Sequence, residues 1–438
     1  MLLEFRTKNY KSFSEELVFS MIPAPKQTGL DYSVRKETAG SKEYKGLCSA
    51  IIYGPNASGK TNIIGAIDTM KAIVLRGNIR NTNVLESPNS AAATLELIPN
   101  CNEDNPITEF SISFITNGFK FDYSFKIEIG QFAEANHHRS ITEEKLSINE
   151  KHIFSRGKDL EVTLPTWFSQ YSNTSGRVTK SILDIAMSSL TDDELFLCNG
   201  FKSIISKQIA DLIMNWFSRK LITIYRSDLF EVVKPMEGHA EKSIIIDKTL
   251  TEAAKAFGVY SNAIGFRKES ESHGPEMISI VKTKDVALRS RVFESYGTLR
   301  FINEFPTLAE TLSEGCTLVV DEFDASIHPM ALMSIINIFH NDDINTENAQ
   351  LIFNTHNPIF LNSSLFRRDE IKFVERDKKT HNSVHYSLSD FRTADGIRKG
   401  ESYMKNYFMD RYGAIEDIDF TPVFEKILKK QEAQKKNE

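Results

Sequence analysis

The sequence predicts an α/β protein of two lobes with a compact helical insertion, on three observations. A β-like run, LCSAIIYG (residues 47–54), feeds a glycine-rich loop that opens directly into a helical pattern. About 260 residues later a second apolar run, Thr317-Leu318-Val319-Val320, ends in the adjacent carboxylates Asp321 and Glu322. Beyond it strand-like and helix-like segments alternate, the pattern of a parallel sheet covered by helices.

In chain order, Leu3, Phe5 and then Phe13 give a short apolar alternation at the N-terminus, read as a strand. After the glycine-rich loop, Ile63, Ile64, Ile67, Met70, Ile73 and Val74 recur at helical spacing, so one face of this helix packs on a sheet. From about 92 to 150, ATLELI, EFSISFI and FKFDYSFKIEI alternate apolar and polar residues between turn-forming Asn-Gly and Gly, and predict antiparallel strands. Residues near 180–290 change character. ELFLCNGFKSIISKQIADLIMNWFSRKLITIY and KTLTEAAKAFGVY have helical spacing without sustained heptads, which predicts a compact lid rather than a long coiled-coil arm. CTLVV, QLIFNT and IKFVE are then buried strands and MALMSIINIF a helix. The expected organisation is an N-terminal lobe over 1–150, a mainly helical insertion over 151–290, a second lobe over 291–400 and a helical tail over 401–438.

Composition bounds the function. With 438 residues, 41% of them hydrophobic, the chain can bury two or three ordinary cores. No apolar run reaches the ~18 residues of a membrane span, and MLLEFRTKNY is too charged for a signal peptide, so the expected location is cytoplasmic. Cys48, Cys101, Cys198 and Cys316 lie far apart without a CxxC pair and suit reduced structural thiols. A net charge of −6 gives no overall attraction to nucleic acid, while a local basic surface remains compatible with it. The tail lysines Lys426, Lys429, Lys430, Lys435 and Lys436 are interleaved with glutamates and read as a solvated helix end. His137-His138 near Glu143 and Glu144 could suggest metal ligands, but the stretch reads as a charged surface turn.

The chemistry begins at Gly54-Pro55-Asn56-Ala57-Ser58-Gly59-Lys60-Thr61, an ungapped GxxxxGK[ST] phosphate-binding loop in its required strand–loop–helix context. Glycines let backbone N–H groups face phosphates, and the helix start adds partial positive charge. Asn56, Ala57, Ser58, Gly59 and Asn62 are thus phosphate-cradle candidates. Lys60 would reach the β- and γ-phosphates of ATP, and Thr61 would offer its hydroxyl to Mg²⁺. Asp321, at a buried strand's end, would hold that Mg²⁺, and Glu322 would polarise the attacking water. A compact AAA+ module places these two motifs much closer together, so their separation favours a two-lobed head of the ABC/SMC type. A GTPase is disfavoured because no NKxD base-reading motif is present.

From Met1 to about Tyr412 the sequence resembles the SMC-like ABC ATPases. More closely it resembles stand-alone prokaryotic AAA-family ATP-binding proteins, which include the RloA-type and PARIS AriA-type ATPases and the ATPase half of OLD-type enzymes. The resemblance rests on FRTKNYKSF, GPNASGKTN, ESYGTLRF (294–301), VVDEFDASIHP, FNTHNPIF, RRDEIKFVE and YGAIE. It implies that Ser295 and Gly297 cap the γ-phosphate bound by an opposite protomer, making the site composite. The same residues also read as a helix start with N-cap candidates, and Pro306 predicts a kink or break in that helix. The resemblance further implies that Asp324 and Ser326 communicate between sites, that His356 contacts the γ-phosphate, and that Lys11 and Ser12 touch nucleotide phosphate. Gln131, after KIEIG, is the candidate metal-contacting glutamine, and a plain surface glutamine is an equal reading. As function, the resemblance implies an ATP-driven switch that dimerises or assembles further. Such a switch would control a separate toxic nuclease in phage defence and respond to a phage trigger. About 40 residues follow the second lobe, too few for a fused nuclease domain. The alternative is a DNA-clamping SMC-like repair or recombination ATPase, for which Lys202, Lys207, Arg219 and Lys220 supply basic residues.

Overall fold

The computed structural model describes residues 1–25, 27–80, 95–134, 137–173, 179–225, 243–259, 262–268, 275–284, 286–391, 401–416 and 418–435. The chain opens with β1 (Leu2–Lys8) and β2 (Leu17–Ser20). A small hairpin of β3 (Val34–Ala39) and β4 (Lys42–Leu47) precedes β5 (Ser49–Tyr53), which leads into α1 (Lys60–Arg76). Five strands follow: β6 (Ile107–Thr116), β7 (Phe119–Glu128), β8 (Ser140–Ile148), β9 (Lys151–Arg156) and β10 (Leu160–Val162). With β1 and β2 they form an antiparallel sheet in the order β10-β9-β8-β7-β6-β1-β2. The alternation in EFSISFI and FKFDYSFKIEI is the alternation of its two faces. Of ATLELI, residues 93–94 lie outside the described residues, residues 95–98 run irregularly, and the Ile98 carbonyl accepts the Lys11 amide.

Helices α2 (Lys180–Ser189) and α3 (Lys207–Asn215), with π-helical turns at Leu197–Ile205 and Trp216–Lys220, lead to β11 (Leu221–Ile224). Next come β12 (Ile244–Ile246), α4 (Lys248–Ala256), β13 (Asn262–Arg267), β14 (Glu276–Val281), β15 (Val286–Arg289) and the single turn α5 (Ser290–Phe293). Among its described residues, the stretch 151–290 therefore mixes these helices with strands. β9 and β10 extend the antiparallel sheet, β11 joins the sheet described below, and β12–β15 pair as a four-stranded sheet of their own. Runs such as III and ISIV are β-branched but too short to show a period, so the longer helical patterns beside them dominate a reading of the sequence.

The second lobe contains α6 (Tyr296–Glu314), β16 (Thr317–Val320), α7 (Pro329–His340), β17 (Gln350–Asn354), β18 (Ile371–Arg376) and β19 (Ser383–Ser387). Helices α8 (Tyr403–Phe408) and α9 (Thr421–Lys435) end the described chain. Pro306 does not break α6, which runs on to a left-handed C-cap at Gly315. Ser295 fixes its start, and buried Phe301, Ile302, Leu308 and Thr311 hold both sides of the proline in place.

These strands build the sheet that positions the site, in the order β11-β16-β17-β5-β18-β19, parallel except for the last pair. Both faces are buried, which explains the unbroken apolar runs. Ala50, Ile52, Val319, Ile352 and Val374 face α1 and the antiparallel sheet. Their neighbours Ile51, Tyr53, Leu318, Val320, Leu351, Phe353, Ile371 and Phe373 face the core that contains α4, α6 and α7. Gln350 joins the two sheets. Its buried amide accepts from Leu2 N at 2.6 Å and from Thr317 Oγ1 at 2.9 Å, and donates to the carbonyls of Leu2 (3.0 Å) and Leu47 (2.8 Å). At the opposite end from the phosphate loop, Ser49 Oγ donates to Glu370 at 2.6 Å and meets His340 Nε2 at 2.9 Å, tying β5 to α7 and β18.

Glu144 fastens the π-helical turn to the antiparallel sheet. Fully buried, it accepts from Phe196 N (2.6 Å), Leu197 N (2.9 Å) and Tyr123 Oη (2.8 Å), with Arg156 at 3.6 Å. Replacing it with Leu strands two backbone donors and removes the counter-charge of the buried Arg156 guanidinium. Glu144→Leu is expected to cost about 3–5 kcal/mol, measured as a shift in the denaturant midpoint.

Candidate functional site

The site lies at the carboxyl ends of β5, β16 and β17, where a parallel sheet leaves a crevice. After Tyr53 the chain turns at Gly54, where a Cβ would lie 2.3 Å from the Val374 carbonyl and 2.6 Å from Ser58 Oγ. Gly59, at φ +113°, is equally constrained: a Cβ would lie 2.6 Å from Ser383 Oγ and 2.7 Å from Ser12 Oγ. Asn56 and Ala57 are exposed at the loop tip, and Ser58 Oγ is buried without a hydrogen-bond partner among the described residues. Lys60 is buried at the start of α1 and donates to the carbonyls of Gly54 and Pro55 at 2.8 Å each. Burial lowers its pKa to about 8, against the opposing pull of Glu322, Asp321 and Asp324. A buried ammonium that is costly to keep charged favours an anionic ligand.

Asp321 is the meeting point. Its Oδ1 accepts from Thr61 Oγ1 at 3.1 Å and from Asn354 Nδ2 at 2.6 Å. Asn354 Oδ1 in turn accepts the Glu322 amide, so one carboxamide fixes both residues of the acidic pair. Glu322 has a left-handed backbone (φ 50°) and an exposed carboxylate. Arg300 donates to its carbonyl at 2.6 Å while ion-pairing with Glu304 at 3.0 Å, which keeps the strained turn in place. Thr355 Oγ1 donates to Asp324 at 2.5 Å, linking the segment after β16 to the end of β17. His356 follows, its ring half-buried. Partial burial, and then the Lys60 charge, lower its pKa, so it presents a neutral imidazole near neutral pH.

The start of α6 forms the rim. Ser295 is the N-cap, its Oγ accepting from Thr298 N at 3.2 Å, so the capping reading holds. Its side chain is nevertheless exposed, and so are those of Val292, Phe293 and Tyr296 around it. Gly297 packs directly on the segment after β16, where a Cβ would lie 2.0 Å from the Ser326 carbonyl.

Other candidates fall less centrally. Ser12 reaches the loop, accepting from Asn62 Nδ2 at 2.8 Å, and its carbonyl accepts Ser383 N at 2.7 Å. The Lys11 ammonium pairs instead with Glu96 and lies 3.3 Å from Tyr225 Oη. Gln131 bonds locally to Glu134 and the Asp104 carbonyl rather than to Thr61 or Asp321. His137 pairs with Glu134 and Glu128, and His138 with Asp192, so the two rings do not share one ligand set. Sequence reasoning missed Asn354 and Arg300, although both stand inside the quoted segments FNTHNPIF and ESYGTLRF. It also missed Ser383, which donates to the Ser58 carbonyl, and Arg376, which donates to the Ala57 carbonyl at 3.3 Å. No pattern announced those two.

A glycine-rich loop at a helix start, a buried lysine and a hydroxyl–carboxylate pair of hard oxygen donors define a P-loop nucleotide-binding protein, and the donor pair suits Mg²⁺. The chain belongs to the family described as "AAA domain, putative AbiEii toxin, Type IV TA system", whose model matches residues 49–167 and 216–362. Among solved structures it is similar to the SMC head domain from Thermotoga maritima, at 13% identity and a TM-score of 0.35, covering 88% of this chain and 98% of that one. No curated protein matches it. Among the described residues, no helix is long and apolar enough to cross a membrane.

Two outcomes are expected. Lys60 is charged below about pH 8 and loses its proton above it, whereas phosphate binding favours the charged form. Nucleotide affinity should therefore fall as pH rises from about 7.5 to about 9.5, by up to tenfold per unit, and Lys60→Arg should flatten the slope in a fluorescent-nucleotide titration. Gly297→Ala should force the Ser326 backbone away and destabilise the fold by about 1–3 kcal/mol, read as a loss in melting temperature.

Proposed function

We propose that the chain binds and hydrolyses ATP as a molecular switch, with two protomers closing head to tail so that each site is completed by the other. The observation that carries this reading is the convergence of Lys60, Thr61, Asp321 and Asn354, with the Glu322 carboxylate exposed beside them. The exposed Ser295 rim of the same chain supports the composite arrangement. Mg²⁺, held by Thr61 and Asp321, would neutralise phosphate charge when bound. Lys60 and the amides of residues 56–62 hold the phosphates, Glu322 takes the proton of the attacking water, and His356 donates a hydrogen bond at the γ-phosphate. From the partner, Ser295 and the Gly297 amide cap that phosphate. Asp324, tied to Thr355, relays the state of one site toward the other.

Biologically, the reading is an ATPase of the RloA, PARIS AriA or OLD-like group that responds to a phage trigger by releasing or activating a separate toxic nuclease. The family description, which names a toxin and a toxin–antitoxin system, supports a role of that kind.

Complementation tests the composite site. Lys60→Ala and Ser295→Arg should each abolish phosphate release. Their mixture should recover about one quarter of wild-type activity, since half of random dimers are mixed and each mixed dimer has one intact site. Recovery of nothing after subunit exchange would show that each protomer works alone. Glu322→Gln should bind ATP normally and lower turnover by roughly 10²–10⁴. Wild-type turnover in that variant would remove Glu322 as the base.

A further inference from the structure

At the end of the parallel sheet remote from the phosphate loop, three metal-ligating side chains meet in the core. Cys48, His340 and Glu370 are all buried, and one ligand atom of each lies within 4.8 Å of the other two. They come from the residue before β5, the last residue of α7 and the residue before β18. β5 and β18 are parallel neighbours, so their starts lie side by side, and α7 packs on β5.

The donors are set for one small ion. His340 Nε2 and Glu370 Oε1 are 3.3 Å apart, close to the edge of about 3.3–3.4 Å that two bonds of about 2.0–2.1 Å subtend at a tetrahedral centre. Glu370 is preset for binding through one oxygen, because its Oε2 already accepts the Arg367 amide at 2.8 Å. Ser49 Oγ, 2.6 Å from Glu370 Oε1 and 2.9 Å from His340 Nε2, offers an oxygen for the fourth position. The His340 ring is held only from that side, since its buried Nδ1 has no hydrogen-bond partner among the described residues. Arg35 does not neutralise the trio, because its guanidinium is engaged with Asp342 and the Phe339 carbonyl.

The geometry points to a structural Zn²⁺ site formed by Cys48, His340 and Glu370. A thiolate, a neutral imidazole and a carboxylate together carry two negative charges, which a divalent ion of borderline softness cancels inside the core. Burial, and then the Glu370 charge, push the Cys48 thiol well above its ordinary value. The ion therefore displaces the Cys48 proton to solvent as it binds. Tyr32, 39% exposed, lies 5.6 Å from the His340 ring, centroid to centroid, so the site is one side chain away from water. Once in place the ion pins the starts of β5 and β18 to the end of α7, and it shares no residue with the Mg²⁺ position at Thr61 and Asp321.

The test uses Co²⁺ as a spectroscopic probe on the full chain after a chelator has removed bound metal. Wild type should take up Co²⁺ with the intense visible bands of a tetrahedral ion and a thiolate-to-cobalt charge-transfer band in the near ultraviolet, and Zn²⁺ should displace it. Cys48→Ser should abolish the charge-transfer band, while Lys60→Ala should keep it. The triple variant Cys101→Ser, Cys198→Ser and Cys316→Ser, which retains Cys48 alone, should keep it too and decides the ligand even where Cys48→Ser does not fold. Glu370→Gln should lower cobalt affinity by more than about 100-fold, since losing an outer hydrogen-bond partner of a ligand already costs about 10–100-fold. No charge-transfer band in wild type, a band that survives Cys48→Ser, or a band lost from the triple variant would overturn the proposal and leave the trio as a hydrogen-bonded junction through Ser49.

Discussion

A single carboxylate oxygen, Oδ1 of Asp321, gathers the second lobe around the first. It receives the hydroxyl of Thr61 and the carboxamide of Asn354, residues separated by nearly three hundred positions. A carboxylate this deeply buried is tolerable only when its lone pairs are satisfied. The strand order supplies the partners, because β17 lies between β5 and β16. Removing β17 from that position would separate the phosphate loop from the acidic pair. The geometry of Lys60, Glu322 and Asp324 follows from this one junction, with Arg300 and Thr355 steadying its edges.

The sheet keeps that junction rigid by having two cores instead of one. Successive residues of β5, β16, β17 and β18 pack on opposite sides, so each strand is gripped from above and below. Gln350 adds a polar clasp at the far end, where three strands that share no turn are bonded to one side chain. The rim is treated differently. Gly297 against Ser326 is backbone on backbone, so the start of α6 and the segment after β16 touch with no side chain between them.

Much of this was legible in the sequence, and for identifiable reasons. The phosphate loop and the acidic strand end were plain because each needs particular residue types at contiguous positions. The buried parallel strands showed as unbroken apolar runs. What could not be read was the long-range pairing of ordinary residues. Nothing local distinguishes Ser383, Arg376 or Glu96 from any other surface serine, arginine or glutamate until β18, β19 and the segment before β6 are folded against the loop. Lys11 shows the same limit from the other side, since its neighbour Ser12 reaches the loop while its own ammonium is claimed by Glu96. The sheet of β12–β15 was hidden because three-to-six-residue strands give too few periods to outweigh a nearby helix. Pro306 misled because flanking packing overrides a local helix-breaking preference.

The strand order also sets a timetable for synthesis. The antiparallel sheet is complete once residue 162 has been made, and its neighbours are mostly consecutive. β5 has no such company. Its two edges are filled by β17 and β18, which end at residues 354 and 376. At ribosomal speeds the segment SAIIY waits on the order of tens of seconds with unpaired backbone and two apolar faces. During that interval the nascent chain holds a strand of high aggregation tendency next to an already folded sheet, and protecting it falls to chaperones or to the α1 helix that follows directly behind.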